Sequence, residues 1–317
     1  MNPRRDTISA AHPPISFSPP PSVTDSGGPK NTGGTKPIRG THDIDDIDDT
    51  IKFRFAILDT AALTKRNLLH LVRETGLLVF TFVQPVLFVL LFRYVFGGTL
   101  GQMLGMDYVN YLLPGIFVQA VALGAVSTAI GLAEDLGGGI IERFRSLPMV
   151  RMSVLAARTL ADLVRNIGII VVMFLVGLLI GFRPYSLIGV VKGGVLVLAF
   201  AFSLSWAMAL VGLRSSSAEE AQSIAFPMLL PITFASSAFV PVNSMPGWLQ
   251  VFAEHQPVTI VVNACRGLML GPETAKALQA SGSFITDTNG YVIRSLAWIA
   301  VILALSVPRA IRRFNES

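Results

Sequence analysis

Long apolar stretches alternate with short polar segments along most of the chain. No Asp, Glu, Lys or Arg occurs in the 26 residues between Asp107 and Glu134, or in the 33 residues between Glu220 and Glu254. An uncharged, mainly apolar run of about 18 residues or more is typical of a transmembrane helix, whereas a helix buried in a soluble core is shorter. The pattern therefore predicts an all-α integral membrane protein.

Six such stretches are predicted to cross the membrane. The predicted spans are about 76–96, 108–132, 157–181, 188–213, 219–240 and 291–309. Prolines inside the first and fifth spans are compatible with this, because neighbouring helices can satisfy the carbonyls that a proline leaves free. The sixth span is the shortest, since only 14 residues separate Arg294 from Arg309. Arg294 is therefore expected to extend its guanidinium toward the lipid headgroups.

The segment between the fifth and sixth spans, 241–290, has a pattern of its own. Prolines at 241, 246 and 257 interrupt its first half, which predicts one or two short re-entrant helices at the extracellular surface. A seventh span at 247–270 is the alternative. It would place Glu254, His255 and Arg266 in hydrocarbon, which is costly, and it would move the basic C-terminus to the other side of the membrane.

The N-terminal residues differ from the rest. Residues 1–50 are rich in Pro, Ser, Gly and Thr and are predicted to form a disordered cytoplasmic tail, because they offer little apolar surface to bury. The acidic run 42–49 within them is either a solvated segment or a docking site. The six predicted spans belong to a second part, 51–317. It opens with a basic amphipathic pattern, which predicts a helix at the membrane interface or one that faces solvent.

Charge sets the predicted orientation. Only 14% of the residues are charged, against about a quarter in soluble domains. Fourteen Lys and Arg residues flank the predicted spans on one side and six on the other, and the richer side is expected to be cytoplasmic. Both termini and 134–156 then lie on the cytoplasmic side of the cell membrane, and 241–290 lies on the extracellular side. The net charge of +5 is spread over these flanks, so no nucleic-acid partner is expected.

The sequence contains no recognisable metal-binding or phosphate-binding motif of an enzyme. The four histidines and the single cysteine are scattered without ligand spacing, so no metal site is expected. The stretch GGPKNTGGTK resembles a phosphate loop, but Gly34 stands where that motif requires a lysine. The chain is therefore expected to bind no cofactor, and energy for any work must come from another polypeptide or from an ion gradient.

Acidic residues near the middle of the spans would favour an ion gradient, and the sequence has none there. Asp162 lies near the inner edge of the third span. Arg158 precedes it by four residues and Arg165 follows it by three, a spacing that allows contacts on one helix. We expect structural ion pairs rather than proton transfer at these three residues.

A short charged segment, IIERFRSLPM at 140–149, separates the second and third spans. Ile140, Ile141, Phe144 and Leu147 share one side of a short helix, and Pro148 ends it. Three glycines precede the segment and allow a sharp turn. From the pattern alone, this helix either transmits motion to the two adjoining spans or lies passively on the membrane surface.

Two motifs carry a resemblance to a known family. ERFRSLPM followed by Arg151, Arg158, Asp162 and Arg165 resembles the signature of type-2 ABC exporter permeases. The likeness is to the daunorubicin-resistance type, which includes actinobacterial drug and lipid exporter permeases. The stretch PVNSMPGWLQVFAEHQP, with Arg-Gly at 266–267, is similar to a second motif of that family. The resemblance extends over roughly 52–313 and excludes the tail.

The resemblance implies a function and partners. It implies a permease subunit that moves an amphipathic drug or lipid out of the cytoplasm or inner leaflet. A separate ABC ATPase would bind ATP and Mg²⁺, and a second permease would complete a homodimer or heterodimer in the lipid bilayer. It also implies an amphipathic helix at 53–73 and re-entrant helices at 243–270. The segment between spans two and three would be the coupling helix, with ATPase contacts at Glu142, Arg143, Phe144, Arg145, Ser146, Leu147 and Pro148.

The fifth span holds candidates for a substrate path. Phe226, Thr233, Ser236 and Ser237 combine an aromatic ring with small polar groups. Small residues also serve close helix packing in membranes, so a packing role is the alternative for each. Two other functions remain open. One is a membrane scaffold or sensor that works through 42–49. The other is a lipid-modifying enzyme, which the sequence supports weakly, because its histidines are scattered and its cluster of acids lies in the predicted tail.

Overall fold

The computed structural model describes residues 75–138 and 152–316. No β-strand occurs in these ranges. A 3₁₀ turn covers Val242–Ser244. The α-helices in these ranges are α1 (Thr75–Val95), α2 (Gly97–Leu104), α3 (Tyr108–Gly124), α4 (Val126–Gly137), α5 (Met152–Leu179), α6 (Leu187–Gly212), α7 (Ala218–Phe234), α8 (Gly247–His255), α9 (Pro257–Ala280) and α10 (Thr288–Glu316). The predicted tail at 1–50, the amphipathic helix at 53–73 and the coupling segment at 140–148 lie outside the described residues.

Four helical segments in the described ranges have the length and apolarity of a membrane span. They are Tyr108–Gly137, Ala157–Leu179, Leu187–Gly212 and Thr288–Phe314. The pair α1 and α2, bent by 72°, makes a fifth if it crosses as one unit. The expectation of an all-α, multi-pass membrane protein is confirmed at this level.

The helix predicted over 219–240 ends earlier than the apolar pattern indicates. α7 has 17 residues and ends at Phe234. The chain turns after it, and Ser237 and Ala238 are buried there. Their backbone carbonyls accept hydrogen bonds from Arg266, which a continuing helix would have used for its own backbone bonds. The long uncharged run therefore ends its helix at a buried polar contact.

The two ends of the bundle can be told apart by their contacts. We call the end that carries 97–107, 180–186 and 235–287 the capped end. There, Tyr108 donates from its hydroxyl to the Phe239 carbonyl over 2.8 Å. The Tyr185 amide donates to the Met269 carbonyl over 2.9 Å. Residues after α7 thus fold back over the helix ends on this side.

The opposite end is held by a separate apolar cluster. Leu132, Ala157, Trp206, Leu213 and Phe314 belong to it. These residues come from α4, α5, α6, the residue after α6, and α10. Successive long helices therefore run in alternating directions between the capped end and the opposite end.

α3 occupies the centre of the bundle. Thirteen of its 17 residues are buried. Within Tyr108–Gly137, 72% of the most apolar window is buried, compared with 22% for Thr288–Phe314. α3 is therefore enclosed by protein, whereas α10 lies at the periphery with most of its apolar side chains available to lipid.

Close backbone contact fixes α3 against the turn that follows α7. A Cβ atom added at Gly115 would lie 2.3 Å from the Ala238 carbonyl oxygen and 2.7 Å from its Cα. Small residues at helix contacts in membranes allow backbones to approach in this way. Gly194 on α6 has no atom within 4 Å of the same added position, so its lack of a side chain is not needed for packing.

We predict that Gly115→Ala destabilises the protein and that Gly194→Ala does not. The added methyl group at Gly115 must displace backbone, and overpacking of this kind costs about 1–3 kcal/mol. At Gly194 the change removes only backbone freedom and is neutral or stabilising. The melting temperature of each detergent-solubilised variant measures the difference. Equal melting temperatures would contradict the close contact between α3 and Ala238.

Candidate functional site

A fully buried arginine joins three parts of the capped end. Arg266, on α9, is 0% exposed. Its Nε donates to the Tyr111 carbonyl over 2.8 Å. Nη2 donates to the carbonyls of Ser237, over 2.5 Å, and Ala238, over 3.1 Å. Nη1 donates to the side chains of Asn263, over 2.9 Å, and Ser237, over 3.2 Å. One side chain thus connects α3, the turn after α7, and α9.

The positive charge of Arg266 is surrounded by oxygen dipoles and an aromatic ring. Its guanidinium carbon lies 3.5 Å from the centre of the Tyr111 ring, within cation–π range. No carboxylate is among its contacts in the described part of the chain. Such a charge is stable in an apolar bundle only when every donor is used. We therefore assign Arg266 to holding the cap in place rather than to binding a ligand.

α9 lies in the segment for which the sequence predicted re-entrant helices, with a seventh span as the alternative. α9 is interrupted at Gly271, whose φ is 84°, a value that favours glycine. α9 is not among the helices with the length and apolarity of a span. Instead, it packs against the bundle through Arg266 and its neighbours.

A second polar cluster joins α4 to α5 in the half of the bundle toward the opposite end. Arg165 pairs with Asp162 over 3.1 Å. The Thr128 hydroxyl donates to the same carboxylate, and Arg165 also donates to the Ser127 hydroxyl. Nη2 of Arg165 donates to the Gly124 carbonyl over 2.8 Å. These contacts fix the two helices in register with each other.

Arg158 has a different partner from the one its spacing suggests. Its guanidinium lies 3.7 Å from the carboxylate of Asp135 on α4, and Nη2 donates to the Ser127 carbonyl over 3.2 Å. A Cβ atom at Gly131 would overlap this guanidinium. The contact is therefore made across two helices, where the glycine leaves room for it. We call Ser127, Thr128, Asp135, Arg158, Asp162 and Arg165 the inter-helix network.

The candidates for a substrate path are divided by the structure. Phe226 is 42% exposed and lines a cavity in the bundle. Thr233, Ser236 and Ser237 are buried, and their hydroxyls donate to Leu230, to Thr233 and to Asn263. The last three hydroxyls thus bond within the protein, in α7 and just after it, and a role for the four residues in a substrate path stays a prediction.

The cavity also contains a residue that the sequence reasoning did not select. Gln119 lies on its wall, on the buried helix α3. The signal was an amide near the middle of a long uncharged run, which is unusual because a buried amide needs partners. The predicted ATPase contacts, from Glu142 to Pro148, lie outside the described residues, so their geometry stays a prediction.

Comparison with known proteins places these features in a family. The family model described as ABC-2 type transporter matches residues 59–270. The chain is 35% identical over 190 residues to the daunorubicin resistance ABC transporter permease protein DrrB1 of Streptomyces coeruleorubidus, covering 60% of this chain and 67% of that protein. It is 29% identical over 220 residues to the probable doxorubicin resistance ABC transporter permease protein DrrC of Mycobacterium tuberculosis, covering 69% and 79%. It is 24% identical over 264 residues to the putative transport permease ycf38 of Porphyra purpurea, covering 81% and 89%.

We predict that Arg266→Lys lowers the melting temperature far more than Arg294→Lys does. Lysine carries its three donors on one atom and cannot reach the acceptors that lie on three segments. Each buried acceptor that loses its donor costs about 1–3 kcal/mol. Arg294 is exposed, so the same change there leaves such contacts intact. Thermal unfolding in detergent, followed by tryptophan fluorescence, compares the two. Similar melting temperatures would contradict the role assigned to Arg266.

Proposed function

The chain belongs to the ABC-2 type transporter family, and from that premise we propose that it is the membrane permease of an ATP-driven exporter of amphipathic drugs. The match over residues 59–270 carries this proposal, supported by relatives named as daunorubicin and doxorubicin resistance permeases. The chain is a transporter permease subunit rather than an enzyme, and a separate ATPase subunit hydrolyses ATP with its Mg²⁺. Export of a lipid is the second candidate substrate class.

We further propose six membrane crossings with both termini in the cytoplasm. The alternating direction of α1, α3–α4, α5, α6, α7 and α10 supports this count. The excess of Lys and Arg near the opposite end supports placing that end inside. The capped end, with its re-entrant helices, then faces the exterior. Trp248 on α8 is 77% exposed there, as suits an aromatic residue at the membrane interface.

The proposed coupling segment connects the two helices that the inter-helix network joins. α4 ends at Gly137 and α5 begins at Met152, so 140–148 lies in the connection between them. Force applied by the ATPase to this connection acts on both helices. Because Arg158–Asp135 and the Arg165–Asp162 group bind α4 to α5, the pair is expected to move as one body. A second permease, identical or different, would complete the transport path.

We predict that Arg143→Glu combined with Arg145→Glu abolishes ATP-dependent transport while membrane insertion stays normal. The reversed charges oppose the contacts proposed with the ATPase subunit and are expected to prevent its co-purification. The matched control is Arg309→Glu with Arg312→Glu, which makes the same change in charge at exposed positions on α10. Transport in vesicles and the yield of co-purified ATPase are the measurements. A double variant at 143 and 145 that retains its ATPase at the control level would refute the coupling role.

We predict that deletion of residues 1–50 leaves most of the transport activity in place. The family match begins at residue 59, so the deleted part lies outside it. A scaffold or sensor that works through the acidic run at 42–49 would lose its function instead. Drug efflux from cells that express the full-length or shortened chain at equal levels separates the two. Loss of efflux with normal membrane levels would favour the scaffold or sensor function.

A further inference from the structure

A cavity of about 230 Å³ lies between α1, α3, α4, α5 and α7. Its wall is mainly hydrocarbon, with Phe88 and Phe226 among the larger side chains. Gln84, Gln119, Ser127 and Arg165 supply the polar part of the wall. Phe226, on α7, both lines the cavity and is 42% exposed at the surface of the bundle.

Two hydrogen-bond donors on this wall lack acceptors among the described residues. Gln119 is 2% exposed and Arg165 is 9% exposed. The Nε2 atom of Gln119 and the Nε atom of Arg165 have no hydrogen-bond partner there. A buried donor without an acceptor costs about 1–3 kcal/mol. An acceptor that entered the cavity would satisfy both donors.

The charges around the cavity indicate an uncharged acceptor. The guanidinium of Arg165 is already paired with Asp162, and that carboxylate also accepts from Thr128. The neighbouring Arg158 is paired with Asp135. The inter-helix network is thus balanced, with two arginines and two aspartates. Among the described residues, the cavity wall offers an ion no charge that is not already paired, and isolated charges are costly in an apolar region.

The volume limits the size of the bound group. An apolar cavity of about 150 Å³ holds benzene, and sites for whole drugs occupy about 300–1,000 Å³. The cavity found here lies between these values. It has room for one or two rings of a larger molecule, whose remainder would extend past Phe226.

We propose that this cavity is a binding site for an uncharged, apolar, ring-bearing molecule with a ketone, hydroxyl or ether oxygen, which accepts hydrogen bonds from Gln119 Nε2 and Arg165 Nε. The inference builds on the proposed export function and adds the substrate class. The oxygen satisfies the two donors, while the rings replace water or lipid against the hydrocarbon wall. Because the cavity adjoins the inter-helix network through Arg165 and Ser127, a bound molecule contacts both helices that flank the coupling segment.

Benzophenone is a suitable probe because it is an uncharged two-ring ketone that labels its surroundings on illumination. The full chain in phosphatidylcholine nanodiscs, without its ATPase, is illuminated with increasing benzophenone, and labelled peptides are quantified by mass spectrometry. Saturable labelling of peptides from α3 and α7 is expected. Unlabelled fluorenone is expected to compete at lower concentration than fluorene, which has the same rings without the carbonyl oxygen.

Variants assign the effect to the cavity. Gln119→Leu removes one donor at nearly constant size and is expected to weaken labelling about tenfold, as for one lost buried hydrogen bond. Ala120→Phe places a ring in the cavity wall and is expected to abolish labelling there. Gln222→Leu makes the same change as Gln119→Leu at an exposed position on α7 and is expected to have no effect. Melting temperatures confirm that each variant is folded.

Three results would overturn the proposal. They are non-saturable labelling spread over lipid-facing helices, equal competition by fluorenone and fluorene, and unchanged labelling in folded Gln119→Leu and Ala120→Phe. Because the ATPase is absent, the outcome is independent of coupling. If labelling is as expected but ATP-driven export is absent, the binding site is retained and the proposed function is rejected. If export occurs without saturable labelling, the proposed function is retained and the binding site is rejected.

Discussion

Inside a membrane bundle, every buried polar group must find its partner within the protein, because no water is available to replace it. Arg266 shows how strictly this requirement acts. Its five hydrogen bonds and its contact with Tyr111 bring together α3, α9 and the turn after α7. The early end of α7 and the packing of α9 into the capped end both follow from supplying acceptors to this one guanidinium.

The two polar clusters serve different parts of the molecule. The one around Arg266 fixes the capped end and has no carboxylate among its described contacts. The inter-helix network instead pairs two arginines with two aspartates and joins α4 to α5. These helices flank the segment that we propose receives force from the ATPase. Because the contacts between α4 and α5 are firm and the capped end is rigid, movement of the connection between α4 and α5 is expected to displace both helices together.

Much of the fold could be predicted from the sequence, because long uncharged runs have few stable alternatives to membrane helices. The details that depend on partners distant in sequence could not. Local spacing suggested that Arg158 and Asp162 share one helix face, whereas Arg158 pairs with Asp135 on the preceding helix, in a space that Gly131 leaves open. Likewise, only the assembled bundle shows that Gln119 and Arg165 line the same cavity.

The central claim is that an ATPase acts on the connection between α4 and α5, and site-specific cross-linking tests it most directly. Cys265 is the only cysteine, so Phe144→Cys in a Cys265→Ala background gives a single reactive thiol. With a bifunctional thiol-to-amine reagent in native membranes, we predict a cross-link from residue 144 to an ATPase subunit, with a yield that changes when ATP is added. The account would be contradicted if residue 144 reacted only from the exterior or formed no cross-link to an ATPase in transporting membranes.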